Sequence, residues 1–159
     1  MLSQVAGDEA NLLCLHFKGR TSRAAPDSES LRTVGSATSC VISTIIRGEG
    51  VESDLKASDD GGLAFLDSEL RVTGPDSFRA DGTITFGDTN QHLLCLSTLG
   101  EGHFTSSIHP GIVAGAVSWK IEGGAGQFDA AKGLITSTFT LSETGEFNDW
   151  HCGLIFLPE

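Results

Sequence analysis

Asp67, Glu69 and Arg71 alternate along one stretch of the chain, so in an extended backbone their side chains share a face. Two carboxylates beside a guanidinium could orient a substrate or, if withdrawn from water, exchange protons with it. The same spacing fits a solvated outer face with cross-strand ion pairs, and this is the preferred reading of such a strand. Glu101, His103 and His109 lie between glycines at 100 and 111. Imidazoles in a loop held by a rigid scaffold suit the proton transfers of an isomerisation or cyclisation, although exposed loop histidines without a role look the same. Their E-x-H-x5-H spacing is a weak match to a metal site, and neither a metal nor an organic cofactor is expected. Asp149 precedes Trp150. A carboxylate against an apolar ring has a raised pKa, which makes Asp149 a further acid/base candidate. Trp119, Phe139 and Trp150 offer flat surfaces to an unsaturated or aromatic ligand, with Arg71 as a polar anchor, but aromatic residues in a small β-domain are more often core. His16 and His151 fall inside apolar runs, where a core or interface role is commoner than catalysis.

Several chemistries are not supported. There is no G-x-S-x-G elbow and no phosphate loop, and the glycines at 123, 124 and 126 lie between two strands, without the helix whose N-terminus would hold a phosphate. Tyrosine is absent, which removes a common general acid. Cys14, Cys40, Cys95 and Cys152 are widely spaced, each in an apolar stretch, with no CxxC and no zinc-type spacing. They read as buried free thiols in a reducing compartment, with a disulfide pair expected only if the chain is exported. The N-terminus has no basic region ahead of its short apolar run and does not resemble a signal peptide, and no stretch is long enough to span a bilayer, so a cytoplasmic location is expected. Ten Lys and Arg against 21 Asp and Glu give a net charge of −11, which disfavours nucleic acid and anionic membrane as partners.

The elements that must position these groups are strands. The chain has 159 residues, 20 of them glycine and four proline, and its apolar residues come in short runs between turn signals. Strands are expected at residues 12–17, 38–46, 51–57, 63–72, 78–86, 92–99, 112–122, 134–141 and 149–157. A loop or mobile segment is expected at 19–30, and Asp59-Asp60-Gly61-Gly62 reads as a tight hairpin turn. One domain is predicted, all-β, forming a closed antiparallel barrel of about eight strands, with a sandwich as the alternative. The last strand is apolar on both faces, with Trp150, Cys152, Leu154 and Phe156 alternating with His151, Gly153, Ile155 and Leu157. With no helix to cover its outer side, a homo-oligomer (dimer or trimer) is expected.

Gly123, Gly124, Gly126, Phe128, Ala131 and Gly133 follow the pattern G-G-x-G-x-F-x-x-A-x-G, which resembles the glycine-rich connection of the allene oxide cyclase and dirigent barrels. The strand at 82–86 and the Thr144-Gly145 turn are in keeping with these families, and the likeness covers about residues 80–157. It implies a calycin-like barrel, often oligomeric, with an apolar cavity open at one end and a Phe that folds back to plug a barrel end. It also implies binding of a hydrophobic small molecule and steering of its cyclisation or coupling without a cofactor. No catalytic residue of either family is carried over. The leading expectation is a cofactor-independent isomerase or cyclase of a small hydrophobic metabolite, and the alternative is a non-catalytic small-molecule-binding barrel.

Overall fold

Alternation of inward apolar and outward polar side chains runs through most of the chain, and each run stops at glycine or a short polar segment, so the backbone resolves into strands joined by turns. The computed structural model describes residues 3–4, 10–58, 61–106 and 109–158. Its strands are β1 (Ser3–Gln4), β2 (Ala10–Arg23), β3 (Leu31–Thr38), β4 (Cys40–Arg47), β5 (Gly50–Ala57), β6 (Leu63–Val72), β7 (Ser77–Phe86), β8 (His92–Thr98), β9 (Gly102–Ser106), β10 (Ile112–Ala125), β11 (Lys132–Ser142) and β12 (Glu146–Phe156). One 3-10 turn, Gly126–Phe128, joins β10 to β11.

Eight strands pair in the order β2-β12-β11-β10-β8-β7-β6-β3, and β3 pairs with β2 to close the ring. All these ladders are antiparallel. β9 pairs with β10 and β7 and so continues the position of β8 after an interruption at 99–101. Closure removes the sheet edges that an open sheet would expose. Phe17, Ile84, Leu94, Ile135 and Ile155 are fully enclosed within it. Each contributes about 1.5–3 kcal/mol by leaving water.

The connections alternate between the two ends. Segments 24–30, 73–76 and 143–145 lie at one end, and segment 87–91, the 3-10 turn and the β4–β5 excursion lie at the other. Phe128 is buried at this second end with its ring 5.0 Å from that of Phe86. Gly126 makes the turn possible, because its φ is +64° and a Cβ there would lie 2.2 Å from the Gln91 carbonyl oxygen.

β4 and β5 pair only with each other and project as a ribbon. Ile42 faces Leu55 and Ile46 faces Val51 on one side, while Arg47–Glu52 and Lys56–Asp54 ion pairs, both 3.5 Å, occupy the other. Ile46 is 81% exposed.

Four local expectations are corrected. The segment 19–30 is strand as far as Arg23, because the inward alternation continues through Thr21, whose hydroxyl hydrogen-bonds that of Thr33 at 2.7 Å; only 24–30 is loop. The run 38–46 is divided at Ser39, since its first residue ends a barrel strand that begins at Leu31 and the remainder leaves the barrel. Asp59 and Asp60 of the expected hairpin turn lie outside the described residues, and the strands on either side are not partners: β5 pairs back onto β4, and β6 pairs with β3 and β7. The expected loop 100–111 contains β9, held by its ladder to β10.

Candidate functional site

Within β11 and β12 the odd-numbered residues face the interior, and the register sets Ser137 opposite His151 and Phe139 opposite Asp149. Three polar side chains therefore meet inside an otherwise apolar barrel. The Ser137 hydroxyl donates to Asp149 Oδ1, and His151 Nε2 lies 2.8 Å from Asp149 Oδ2. Asp149 and His151 are 2% and 1% exposed. The Phe17 ring packs against His151 in a T-shaped contact, with ring centroids 5.0 Å apart. His151 Nδ1 and the indole Nε1 of Trp119 are buried without a hydrogen-bond partner among the described residues. Each such group forfeits about 1–3 kcal/mol of solvation. Trp119, Asp149, Ser137, Thr33 and Ser68 border a cavity of about 20 Å³, room for roughly one water.

This cluster can move a proton and hold a polar atom. With Asp149 ionised, its carboxylate accepts from one hydroxyl and from the imidazole Nε2–H, which leaves Nδ1 an acceptor when the ring is neutral and a donor when it is protonated. The Trp119 indole N–H can only donate.

Aromatic rings cover the cluster towards the end carrying segments 24–30, 73–76 and 143–145. Phe78 lies 4.7 Å from Phe104 and 5.8 Å from Phe139, and Phe139 lies 5.5 Å from Phe147. Glycines seat two of these rings: a Cβ at Gly102 would meet the Phe78 ring at 2.1 Å, and one at Gly115 would meet that of Phe139 at 2.3 Å. The aromatic cover is thus built from side-chain bulk on β7 and β11 and its absence on β9 and β10.

A separate cleft opens at the opposite end, between β2, the root of the β4–β5 ribbon and the 3-10 turn. It measures about 610 Å³ and is lined by Leu12, Cys14, Cys40, Ile42, Phe86 and Phe128 among others. An adjoining pocket of about 290 Å³ shares Leu15, Ser39 and Phe86 with it and extends to His92, whose Nδ1 accepts the Gln127 backbone N–H at 3.0 Å.

Trp119, Phe139 and Asp149, three of the residues singled out from sequence, come together in the interior. The others do not join them. Asp67 stands on the outer face and takes two hydrogen bonds from Arg32, at 2.9 and 2.7 Å, which hold its carboxyl below the usual carboxylate range. Arg71 pairs with Asp81 at 2.8 Å, also outside, and Glu69 is exposed between them. All three stand in solvent, two of them in cross-strand ion pairs. His103 is exposed on β9, and His109 is exposed beside a surface pocket of about 430 Å³ that includes Glu143. Trp150 is half-exposed on the outer face and stacks on His16 at 4.6 Å, so it cannot be the ring beside Asp149; neighbours in a strand point to opposite sides. His151, set aside as a core residue, is at the centre of the cluster with Ser137. The pattern Asp149-x-His151 puts both on the face of Phe147 and Ile155, the face that barrel closure turns inward.

The thiols are also placed differently from the expectation of burial: Cys14, Cys40 and Cys95 are half-buried and Cys152 is exposed, all as free thiols. Among the described residues no three His, Cys, Asp or Glu side chains gather as a metal site.

Comparison by sequence finds no matching family and no matching curated protein. Comparison by structure finds chains of similar fold. The pterocarpan synthase dirigent protein PsPTS1 superposes with a TM-score of 0.56 at 17% identity, over 96% of this chain and 97% of its own. The pterocarpan synthase dirigent protein GePTS1 gives 0.50 at 14% identity, over 98% and 90%. The chain therefore has the eight-stranded barrel fold of the dirigent proteins, reached with little sequence in common.

Proposed function

We propose that the barrel binds a small hydrophobic molecule and directs its isomerisation or cyclisation, with Asp149 exchanging a proton with the bound molecule. The observation that carries this reading is the Ser137–Asp149–His151 cluster, enclosed in a closed apolar barrel beside the unpartnered indole N–H of Trp119. A buried ionisable network is costly to keep in a core, and such networks concentrate at functional sites. An isomerisation conserves the composition of its substrate, so a proton taken at one atom and returned at another suffices, and confinement supplies the rest. The fold shared with pterocarpan synthase dirigent proteins is in keeping with a barrel that acts on small molecules. Access to Asp149 requires Phe78, Phe139 or Phe147 to move, since the interior cavity of about 20 Å³ is far below the roughly 300–1,000 Å³ of a ligand site.

The test is a panel of small unsaturated and aromatic molecules titrated against Trp150→Phe protein, in which Trp119 is the sole fluorophore of its kind, followed by product analysis with Asp149→Asn. Binding with turnover lost in Asp149→Asn supports the reading; turnover unchanged in a folded Asp149→Asn variant removes Asp149 from the chemistry.

A second reading, binding without catalysis, is favoured by the cleft of about 610 Å³ at the other end, which is already of ligand size. Ligand binding abolished by Phe86→Ala and indifferent to Asp149→Asn would select it. We further propose that a second copy of this chain covers the β4–β5 ribbon, because an isolated two-stranded ribbon is marginal in water and its Ile42, Ile46 and Val51 side chains lie open.

A further inference from the structure

We propose that Cys14 and Cys152 form a redox-active dithiol whose oxidation cross-links β2 to β12, the first and last strands of the barrel. The two residues are direct partners in the β2–β12 ladder. Facing residues of an antiparallel pair have Cα atoms about 4.5 or 5.5 Å apart. Both separations lie within the roughly 4.4–6.8 Å that a disulfide requires, so the bond needs no change of backbone. The side chains are already turned towards each other, with Sγ atoms 3.2 Å apart on the outer face of the barrel. Cys152 is exposed and can be reached from solvent. Cys40 at the root of the ribbon sends its thiol to the Cys14 carbonyl oxygen at 3.2 Å, which leaves Cys152 as the thiol in line with Cys14.

The oxidant is a small disulfide of the glutathione type. The Cys152 thiolate attacks it, forming a mixed disulfide and releasing one small thiolate. The Cys14 sulfur then attacks the Cys152 sulfur and expels the second. The protein loses two hydrogens, which leave on two molecules of small thiol, and the small disulfide is reduced. Burial, reinforced by the hydrogen bond and charge of Cys152 and the charge of Cys40, pushes the Cys14 thiol up to about 12, so the first attack falls to Cys152. Capping Cys152 removes two of these influences before Cys14 must react. In a reducing compartment the pair stays as thiols, and in an oxidising one it closes the barrel covalently.

The full chain is treated with oxidised glutathione in mildly alkaline buffer, alkylated, and read by intact mass and peptide mapping. The expected result is the loss of two alkylation sites, a cross-linked pair of peptides containing Cys14 and Cys152, and a rise in melting temperature that dithiothreitol reverses. Cys95→Ser behaves as the parent, and Cys14→Ser stops at a glutathione adduct on Cys152. Should Cys14→Ser fail to fold, Cys152→Ala, altered at an exposed thiol, is expected to gain neither the cross-link nor the rise in melting temperature. A lasting adduct on Cys152 of the parent, a Cys14–Cys40 link, or a disulfide between chains overturns the proposal.

Discussion

Replacing Asp149 by alanine removes the acceptor of the Ser137 hydroxyl and the partner of His151 Nε2, both at sites closed to water. Neither group has another described partner on that side, and His151 Nδ1 is already unpartnered, so the imidazole would keep no hydrogen bond at all. Removing one member of a buried charged network in this way costs about 3–5 kcal/mol. For a domain of this size that corresponds to a fall in melting temperature of roughly 6–20 °C. Asp149→Asn keeps the shape: its carbonyl oxygen accepts from Ser137 and its amide can donate to a neutral His151, so the expected loss is about 1 kcal/mol. The cost in the alanine variant is assigned to the orphaned partners rather than to loss of the carboxylate itself. The triple variant S137A/D149L/H151L, which removes those partners too, should therefore recover much of it. Thermal melts by circular dichroism at neutral pH decide the matter. An Asp149→Ala protein melting within about 2 °C of the parent, or a triple variant less stable than Asp149→Ala, would refute the reasoning.

The Arg32–Asp67 pair holds the Asp67 carboxyl below its unfolded-state pKa, so its contribution is present above the unfolded pKa and is lost as pH falls through the folded one. Because both side chains are about half exposed, the effect is small and screened by salt; Asp67→Asn should flatten the acid limb of a stability–pH profile slightly at low salt and leave it unchanged at high salt. Gly126→Ala meets both a left-handed backbone and the Gln91 carbonyl, and should cost about 1–3 kcal/mol in urea unfolding, more than an ordinary glycine-to-alanine change. Ile42→Lys with Ile46→Lys places two charges on the apolar face of the ribbon; light scattering should show a smaller assembly than the parent, and an unchanged mass would remove the ribbon from self-association.

Most of the barrel was legible because its wall repeats one simple rule. Inward apolar residues at every second position and glycine or polar breaks between runs mark β6, β7, β8, β10, β11 and β12 closely, since a strand buried on one face can place its side chains in no other way. β3 carries little apolar signal, because the inner face of Leu31–Thr38 is filled by the small Thr33, Gly35 and Ala37 and its Val34 stands on the outer face. No local pattern separates the β4–β5 ribbon from the wall, because β-branched residues favour extended backbone whether or not the strand joins the barrel.

The site divides in the same way. The alternation along β12 determines by itself that Asp149 and His151 share a face and that Trp150 does not, and that much follows from the two-residue period alone. That this face is the inner one, that Ser137 on β11 arrives opposite His151, and that Asp67 meets Arg32 in solvent are decided only by tertiary structure. The physical reason is that inside and outside, and which strand lies beside which, are properties of closure between β2 and β3. That ladder joins the strand beside β12 to the strand beside β6, and no local pattern in either strand encodes it.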